Sequence, residues 1–297
     1  MGFRRAFLLL AWVFPCSPAS AAQVADVVRS GYADVHGGKI YYEASGRGPH
    51  VVFLSGGNWM DLREWDGQFI AFSRTFQAIR FDARGSGKSD APVAQGSRAA
   101  DLGAFLDRLR LRQVHLVGLS RSAGVALDFA LAWPDRVLSL VLVSPIVSGW
   151  EPSEKYRERE AALLGVLKKS GARAFADAVL DDPYLVPSGG RRKAAKLLKA
   201  NARRVLSLDA SAGLTSDPPA IARLGEIRAP ALLILGDEDD PEILELGEVL
   251  ASRIPGARKE VLFGAGHSVN LERSRKLNRV VIDFLRSVPP VQEGNPR

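Results

Sequence analysis

Residues 114–124 constrain the fold more than any other stretch of this chain. Residues 114–117 form a short, β-branched, apolar run, which is typical of a strand buried on both faces. A Gly-x-Ser turn ending at Ser120 follows, and residues 122–133 then carry apolar side chains at helical spacing. The pattern predicts a strand, a sharp turn that carries Ser120, and a helix.

Ser120 is a candidate nucleophile because a serine on such a turn presents its Oγ above the sheet. The N–H of the next residue, Arg121, would then lie at the helix N-terminus, where partial positive charge favours an oxyanion. The alternative is an ordinary serine N-cap, which is common before helices. The short motif does not decide between these two interpretations, so the rest of the chain must.

Apolar runs separated by helical patterns predict an α/β fold with a mostly parallel central sheet flanked by helices. An edge hairpin at residues 32–42 precedes this pattern. The sheet pattern stops after Pro145 and resumes at Ala231, with helical periodicity between them. We therefore expect a core at residues 22–145 and 227–297, with a helical cap inserted at residues 146–226.

The first 21 residues resemble a secretory signal peptide. Arg4 and Arg5 precede a short apolar run, and small residues lead to a predicted cleavage site near Ala21. The run is too short to span a bilayer comfortably, since about 20 residues are needed. We expect a secreted or periplasmic protein with no stable membrane span after leader cleavage; lipidation of Cys16, the single cysteine, is the weaker alternative.

Three other patterns suggest ligands, and each is better explained otherwise. The Gly-Lys-Ser at residues 87–89 lacks the earlier glycine and the following helix of a phosphate-binding loop. The carboxylates at residues 237–240 lack the glycine and the distant glutamate of a calcium loop, so we predict no metal. The net charge of +7 is diffuse, and the basic run at residues 191–204 lacks interleaved aromatics, which argues against nucleic-acid binding.

The remaining polar candidates follow predicted strands, where open α/β sheets place their sites. The glycines after Ser55 let backbone N–H groups approach a ligand. An aspartate near position 239 and then His267 follow the last two strands. Together with Ser120 they occur in the chain order serine, aspartate, histidine.

At these residues the chain resembles the α/β-hydrolase superfamily, in its cap-bearing branch of small-molecule hydrolases. Residues 81–89 resemble the family's Asp-x-Arg-Gly-x-Gly-x-Ser segment, and residues 264–272 resemble its Gly-His loop. The resemblance implies a triad of Ser120, Asp239 and His267, with Asp240 as the alternative acid. It also implies an oxyanion hole made by the N–H groups of Gly57 and Arg121, and no cofactor.

Two residues depart from the family pattern. Ser55 stands where the family usually has a histidine that braces the oxyanion loop. Ser122 stands where the turn around the nucleophile, here called the elbow (residues 118–122), usually has glycine. A small side chain should fit there, so we interpret the elbow as intact.

The implied function is a serine hydrolase that cleaves a small ester, lactone, thioester or amide through an acyl-serine. Carbon–carbon bond hydrolysis, perhydrolase chemistry and a non-catalytic binding protein on this fold remain alternatives, and the oligomeric state stays open. Asn58, Trp59 and Arg121 are possible substrate contacts. Arg121 could bind an anionic acyl group, or it could pair with a carboxylate of the protein such as Asp82 or Glu64.

Overall fold

The computed structural model of the chain describes residues 27–55, 59–91, 97–205 and 217–289. Its centre is one eight-stranded sheet with the spatial order β1-β2-β4-β3-β5-β6-β7-β8. The strands are β1 (Arg29–Val35), β2 (Gly38–Ser45), β3 (His50–Leu54), β4 (Gln77–Phe81), β5 (Val114–Leu119), β6 (Val137–Val143), β7 (Ala231–Gly236) and β8 (Arg258–Leu262). Pairing is antiparallel for β1–β2 and β2–β4 and parallel from β4 to β8, which confirms the predicted sheet.

The described helices lie in the connections between strands and cover both faces of the sheet. They are α1 (Asp66–Phe72), α2 (Arg98–Arg108), α3 (Arg121–Ala132), α4 (Glu154–Asp181), α5 (Arg191–Val205), α6 (Pro241–Arg253), α7 (Val269–Glu272) and α8 (Ser274–Ser287). The Ser97 side chain accepts a hydrogen bond from the N–H of Ala100, so it caps α2.

Alternate residues of the parallel strands pack against different helices, because successive side chains of a strand point to opposite faces. Leu116 and Leu140 belong to the core that includes α2, α3 and α6. Val117 and Val141 belong to the core that includes α1 and α8. Strands β5 and β7 are buried along their whole length, which explains their mostly apolar sequences; His115 is the one polar side chain of β5.

Helices α4 and α5 lie between β6 and β7, in the segment predicted as a cap. Their apolar faces share a separate hydrophobic cluster, and Trp59 and Met60 of the core pack against it. Gly171 interrupts the helical geometry of α4 with φ 78°. The cap segment therefore touches the core at the residues that follow the end of β3.

The structure differs from the sequence prediction at the first hairpin. We expected both of its strands at an edge, but β2 pairs with β4 as well as β1 and so lies inside the sheet. Residues 1–21, the predicted signal peptide, lie outside the described residues. Within the described ranges, no helix is long and apolar enough to cross a membrane.

Candidate active site

Ser120 lies on the sharp turn between β5 and α3, in a backbone conformation that serine rarely adopts. Its φ is 58° and its ψ is −126°. Hydrogen bonds hold this conformation: its N–H donates to the Val143 carbonyl (2.8 Å), and its carbonyl accepts from the N–H groups of Ala123 (3.0 Å) and Ile146 (3.1 Å). The surrounding backbone thus stabilises a strained residue, as at many functional sites.

Gly118 allows the turn to close. A Cβ at this position would lie 2.6 Å from the carbonyl oxygen of Ser122 and 2.7 Å from the backbone of Ala123. These are backbone atoms, so they cannot rotate out of the way. The glycine two residues before Ser120 is therefore required by the close approach of β5 to the first turn of α3.

The two departures from the family pattern lie in contact with each other. The Ser122 hydroxyl donates a hydrogen bond to the Ser55 carbonyl, and both residues are buried. Ser55 immediately precedes residues 56–58, which include Gly57 and Asn58 and lie outside the described residues. Ser122 thus ties the end of β3 to the elbow at the place where the family's histidine is missing.

His267 and Asp239 form a hydrogen-bonded pair on two neighbouring loops. The Nδ1 of His267 lies 3.0 Å from Oδ1 and 3.2 Å from Oδ2 of Asp239. A carboxylate only accepts, so Nδ1 carries the proton and Nε2 of the neutral ring is the acceptor. Burial lowers the pKa of His267, but the charge and hydrogen bond of Asp239 outweigh it and raise this pKa above its usual value.

Asp240, the alternative acid, faces away from this pair. Its Oδ1 accepts the N–H of Glu242 (2.8 Å) and caps helix α6. Its Oδ2 lies 2.5 Å from Nη1 of Arg159. The Asp240 N–H, however, donates to Oδ1 of Asp239 (2.7 Å), so the two aspartates share one hydrogen-bond network.

The loop that carries His267 is held by the segment after α4. The His267 N–H donates to the Tyr184 carbonyl (2.7 Å). One residue earlier, the Gly266 N–H donates to Oε1 of Glu272 (3.1 Å). The cap segment therefore fixes the backbone of the candidate base.

Ser120 and His267 line one cavity between the core and the cap segment. It holds about 900 Å³ of space not filled by protein atoms, part of it open to solvent. Its wall is mostly apolar and includes Trp59, one of the predicted substrate contacts. Other apolar lining residues are Met60, Leu119, Ile146, Leu163, Val179, Leu185 and Val186.

Arg121 lines the same cavity and makes an ion pair there. Its Nη2 donates to both carboxylate oxygens of Glu160 in α4, at 2.7 Å and 3.0 Å. From the sequence we expected that a protein carboxylate paired with Arg121 would be Asp82 or Glu64. In the structure the ion-pair partner is Glu160. A substrate anion would therefore have to compete with a carboxylate of the cap segment.

Three polar cavity-lining residues of α4 were not singled out from the sequence, namely Tyr156, Arg159 and Glu160. Their helix is rich in charged residues, so nothing in its pattern marks these three. Their position at the cavity depends on how α4 packs over the sheet.

His115 lies in buried strand β5, hydrogen-bonded to the Ser139 hydroxyl (2.8 Å), and burial lowers its pKa to about 4.

The Asp82 carboxylate accepts the N–H groups of Leu62 and Lys88 (both 2.8 Å). A carboxylate of the protein is therefore the acceptor for a backbone N–H of the loop at residues 87–89, which mimics a phosphate-binding motif. In the described part of the chain, no three His, Cys, Asp or Glu side chains are grouped to hold a metal ion.

Comparison with known proteins places this site in context. A model of the alpha/beta hydrolase family matches residues 51–280. A 2-hydroxy-6-oxononadienedioate/2-hydroxy-6-oxononatrienedioate hydrolase from Burkholderia vietnamiensis is 29% identical over 265 residues, covering 84% of this chain and 91% of the relative.

Solved structures show the same likeness. An enol-lactonase from Burkholderia xenovorans matches with a TM-score of 0.72 and 25% identity, over 86% of this chain and 100% of its own. A carboxylesterase from Bacillus subtilis matches with a TM-score of 0.71 and 25% identity, over 87% of this chain and 92% of its own.

Proposed function

This chain belongs to the α/β-hydrolase family, and from that premise we propose that it is a serine hydrolase of small molecules that contain an ester, lactone, thioester or amide. The nucleophile is Ser120, the base is His267 and the acid is Asp239. One observation carries the proposal: a strained serine and a carboxylate-bound histidine line the same cavity.

The reaction begins when Nε2 of His267 takes the proton of the Ser120 hydroxyl as Oγ attacks the substrate carbonyl. The Asp239 carboxylate holds the Nδ1 proton and stabilises the imidazolium that forms. The Arg121 N–H is at the first residue of α3, where helix N–H groups have no intrahelical partner, and it donates to the oxyanion. The Gly57 N–H is the proposed second donor, by family resemblance.

Collapse of the tetrahedral intermediate expels the leaving group, which takes the proton from His267, and leaves an acyl-Ser120. A water molecule then attacks the acyl group while His267 accepts its proton. The second collapse returns that proton to Ser120 Oγ and releases the acid. Atoms and protons balance over the cycle without a cofactor.

Ester or lactone cleavage is the leading reaction because the solved neighbours include an enol-lactonase and a carboxylesterase. Hydrolysis of a carbon–carbon bond is the second candidate. The Burkholderia vietnamiensis relative is named as the hydrolase of an oxo-dienedioate, and hydrolysis of a ketone breaks such a bond. Both reactions use the same nucleophile and base, so the substrate must be tested directly.

Fluorophosphonate labelling followed by intact-mass measurement tests the assignment of the nucleophile. We expect the wild type to gain one label, Ser120→Ala to gain none, and Ser122→Ala to label because its nucleophile is intact. Removing an activated nucleophile typically costs about 10⁶ in kcat, so Ser120→Ala should also be inactive. Labelling of Ser120→Ala at the wild-type rate would make the assignment wrong, and an unlabelled wild type would favour the non-catalytic alternative.

We also propose export through the N-terminal leader, since residues 1–21 have the charged, apolar and small-residue parts of a signal peptide. N-terminal sequencing of the protein from its native host should find a start near Ala22. A protein that retains Met1 or Gly2 in the secreted fraction, or a lipid on Cys16, would contradict soluble export.

A further inference from the structure

Arg159 of α4 reaches from the cap segment to the loop that carries the candidate acid. Its Nη1 lies 2.5 Å from Asp240 Oδ2, and its Nε lies 3.5 Å from Asp182 Oδ2. The guanidinium carbon lies 5.1 Å and 4.8 Å from the ring centroids of Tyr156 and Tyr184. Two carboxylates and two aromatic rings thus hold one side chain in place.

Asp240 transmits this contact to the acid. Its Oδ1 accepts the Glu242 N–H (2.8 Å) at the start of α6, while its own N–H donates to Asp239 Oδ1 (2.7 Å). The side chain that Arg159 holds and the peptide that orients Asp239 therefore belong to the same residue. A shift of the Asp240 side chain would move the peptide that orients the acid.

Asp182 transmits the second contact to the base. Its Oδ1 accepts the N–H groups of Tyr184 (2.9 Å) and Leu185 (3.2 Å). The carbonyls of these residues accept the N–H groups of His267 (2.7 Å) and Ser268 (3.1 Å). Arg159 is thus linked through one carboxylate to the acid loop and through the other to the backbone of the base.

The charges around His267 have opposite effects on its pKa. Burial lowers the pKa of His267, the neighbouring Asp239 and Asp240 raise it, and Arg159 lowers it. Other titratable groups that line the cavity or contact the His267 loop come from several elements: Glu64, Arg121 of α3, Tyr156 and Glu160 of α4, and Glu272 of α7. Removing the positive charge of Arg159 should therefore raise the pKa of the base.

We propose that Arg159 is a positioning residue that couples the seating of α4 on the core to the alignment of Asp239 with His267. The inference rests on the proposed function. It implies that the hydrolytic site is complete only when the cap segment is docked, because one cap side chain braces both the acid loop and the base loop.

The rate of Ser120 labelling by a fluorophosphonate, measured against pH, tests this proposal without knowledge of the substrate. Arg159→Gln should lower the rate at pH 7 by about 10- to 100-fold, the cost of a misplaced catalytic group. The acid limb of its profile should also move away from the wild-type position, because the charge that lowers the pKa of His267 and the alignment of the Asp239 that raises it are both lost. Arg159→Lys keeps the charge and loses the planar fork, so its rate should fall with a smaller movement of the acid limb.

Arg157→Gln is the matched control. Arg157 is two residues away in α4, is exposed, and donates to the Pro152 carbonyl (2.6 Å), so its variant should label as the wild type does. In an Asp240→Asn background, Arg159→Gln should cost clearly less than it does alone, because one of its partners is already lost.

An Arg159→Gln protein with the rate and acid limb of Arg157→Gln would overturn the coupling. If Arg159→Gln does not fold, Arg159→Lys decides, and a wild-type rate in that variant overturns the proposal. A wild type that is not labelled at Ser120 overturns the proposed function, whereas a labelled wild type with unaffected Arg159 variants overturns only the role of Arg159.

Discussion

Replacing Asp239 by asparagine should abolish most activity through the geometry of one hydrogen bond. Oδ1 of Asp239 accepts the Asp240 N–H (2.7 Å), so in the variant the amide oxygen should stay there rather than oppose a donor with a donor. The new NH₂ then takes the position of Oδ2, 3.2 Å from Nδ1 of His267, beside the amide oxygen 3.0 Å from the same atom. A donor at that position competes with the amide oxygen for Nδ1 and favours the tautomer protonated on Nε2, which cannot accept the Ser120 proton.

The expected loss in kcat is about 10⁴-fold, the cost of the wrong tautomer in a serine–histidine–aspartate site. That factor corresponds to about 5.4 kcal/mol of transition-state stabilisation at 1.36 kcal/mol per tenfold. Asp239 also raises the pKa of His267, so its loss should move the acid limb of the residual activity to lower pH. The wild-type acid limb, in contrast, should lie at higher pH than that of an unperturbed histidine, because Asp239 raises the pKa of His267.

The assay is hydrolysis of a chromogenic ester followed across the range in which histidine titrates, with Asp240→Asn as the matched control. Asparagine can still cap α6, so Asp240→Asn should lose the Arg159 contact and fall by no more than about 10²-fold. A larger loss in Asp240→Asn than in Asp239→Asn would refute the reasoning and assign the acid to Asp240. So would an Asp239→Asn enzyme within tenfold of the wild type.

Three further predictions follow from contacts of the elbow. Gly118→Ala places a Cβ 2.6 Å from a backbone oxygen and should lower the free energy of unfolding by about 1–3 kcal/mol. A Cβ at Gly165 would have no atom within 4 Å, so the control Gly165→Ala should not lower it, and equal melting temperatures of the two variants would contradict this prediction. Ser122→Ala leaves the buried Ser55 carbonyl without its donor, which should cost about 1–3 kcal/mol in thermal unfolding, and an unchanged Tm would show that the contact contributes nothing. Because Glu160 neutralises Arg121, Arg121→Met should lower kcat/KM equally for matched neutral and carboxylate-bearing esters; a loss of about tenfold or more confined to the anionic ester would show that Arg121 binds substrate.

The features that were predictable from the sequence depend on local backbone demands. A β-branched apolar run, a glycine and a serine before a helical pattern predict a strand, a turn at Ser120 and a helix, and the aspartate and histidine later in the chain single out that serine as the candidate nucleophile. Mostly apolar runs likewise identify strands such as β5 and β7, because strands covered on both faces carry few polar side chains.

The choice between Asp239 and Asp240 illustrates the limit of sequence reasoning. The two residues are adjacent, chemically identical and both buried. Their directions differ because Asp240 turns toward the N-terminus of α6 and Arg159, which leaves Asp239 to face His267. Family resemblance favoured Asp239, but the partners of each carboxylate are visible only in the folded chain.

Contacts between distant parts of the chain were decided by the tertiary structure alone. The sequence determined that Arg121 follows Ser120, but its partner Glu160 is supplied by the docking of α4. The same holds for the ion pair of Arg159 with Asp240 and for the hydrogen bond from the Ser122 hydroxyl to the Ser55 carbonyl. Local propensity determines which residues form a helix or a turn, whereas the direction of a long charged side chain depends on which opposite charge the packing of separate elements brings within reach.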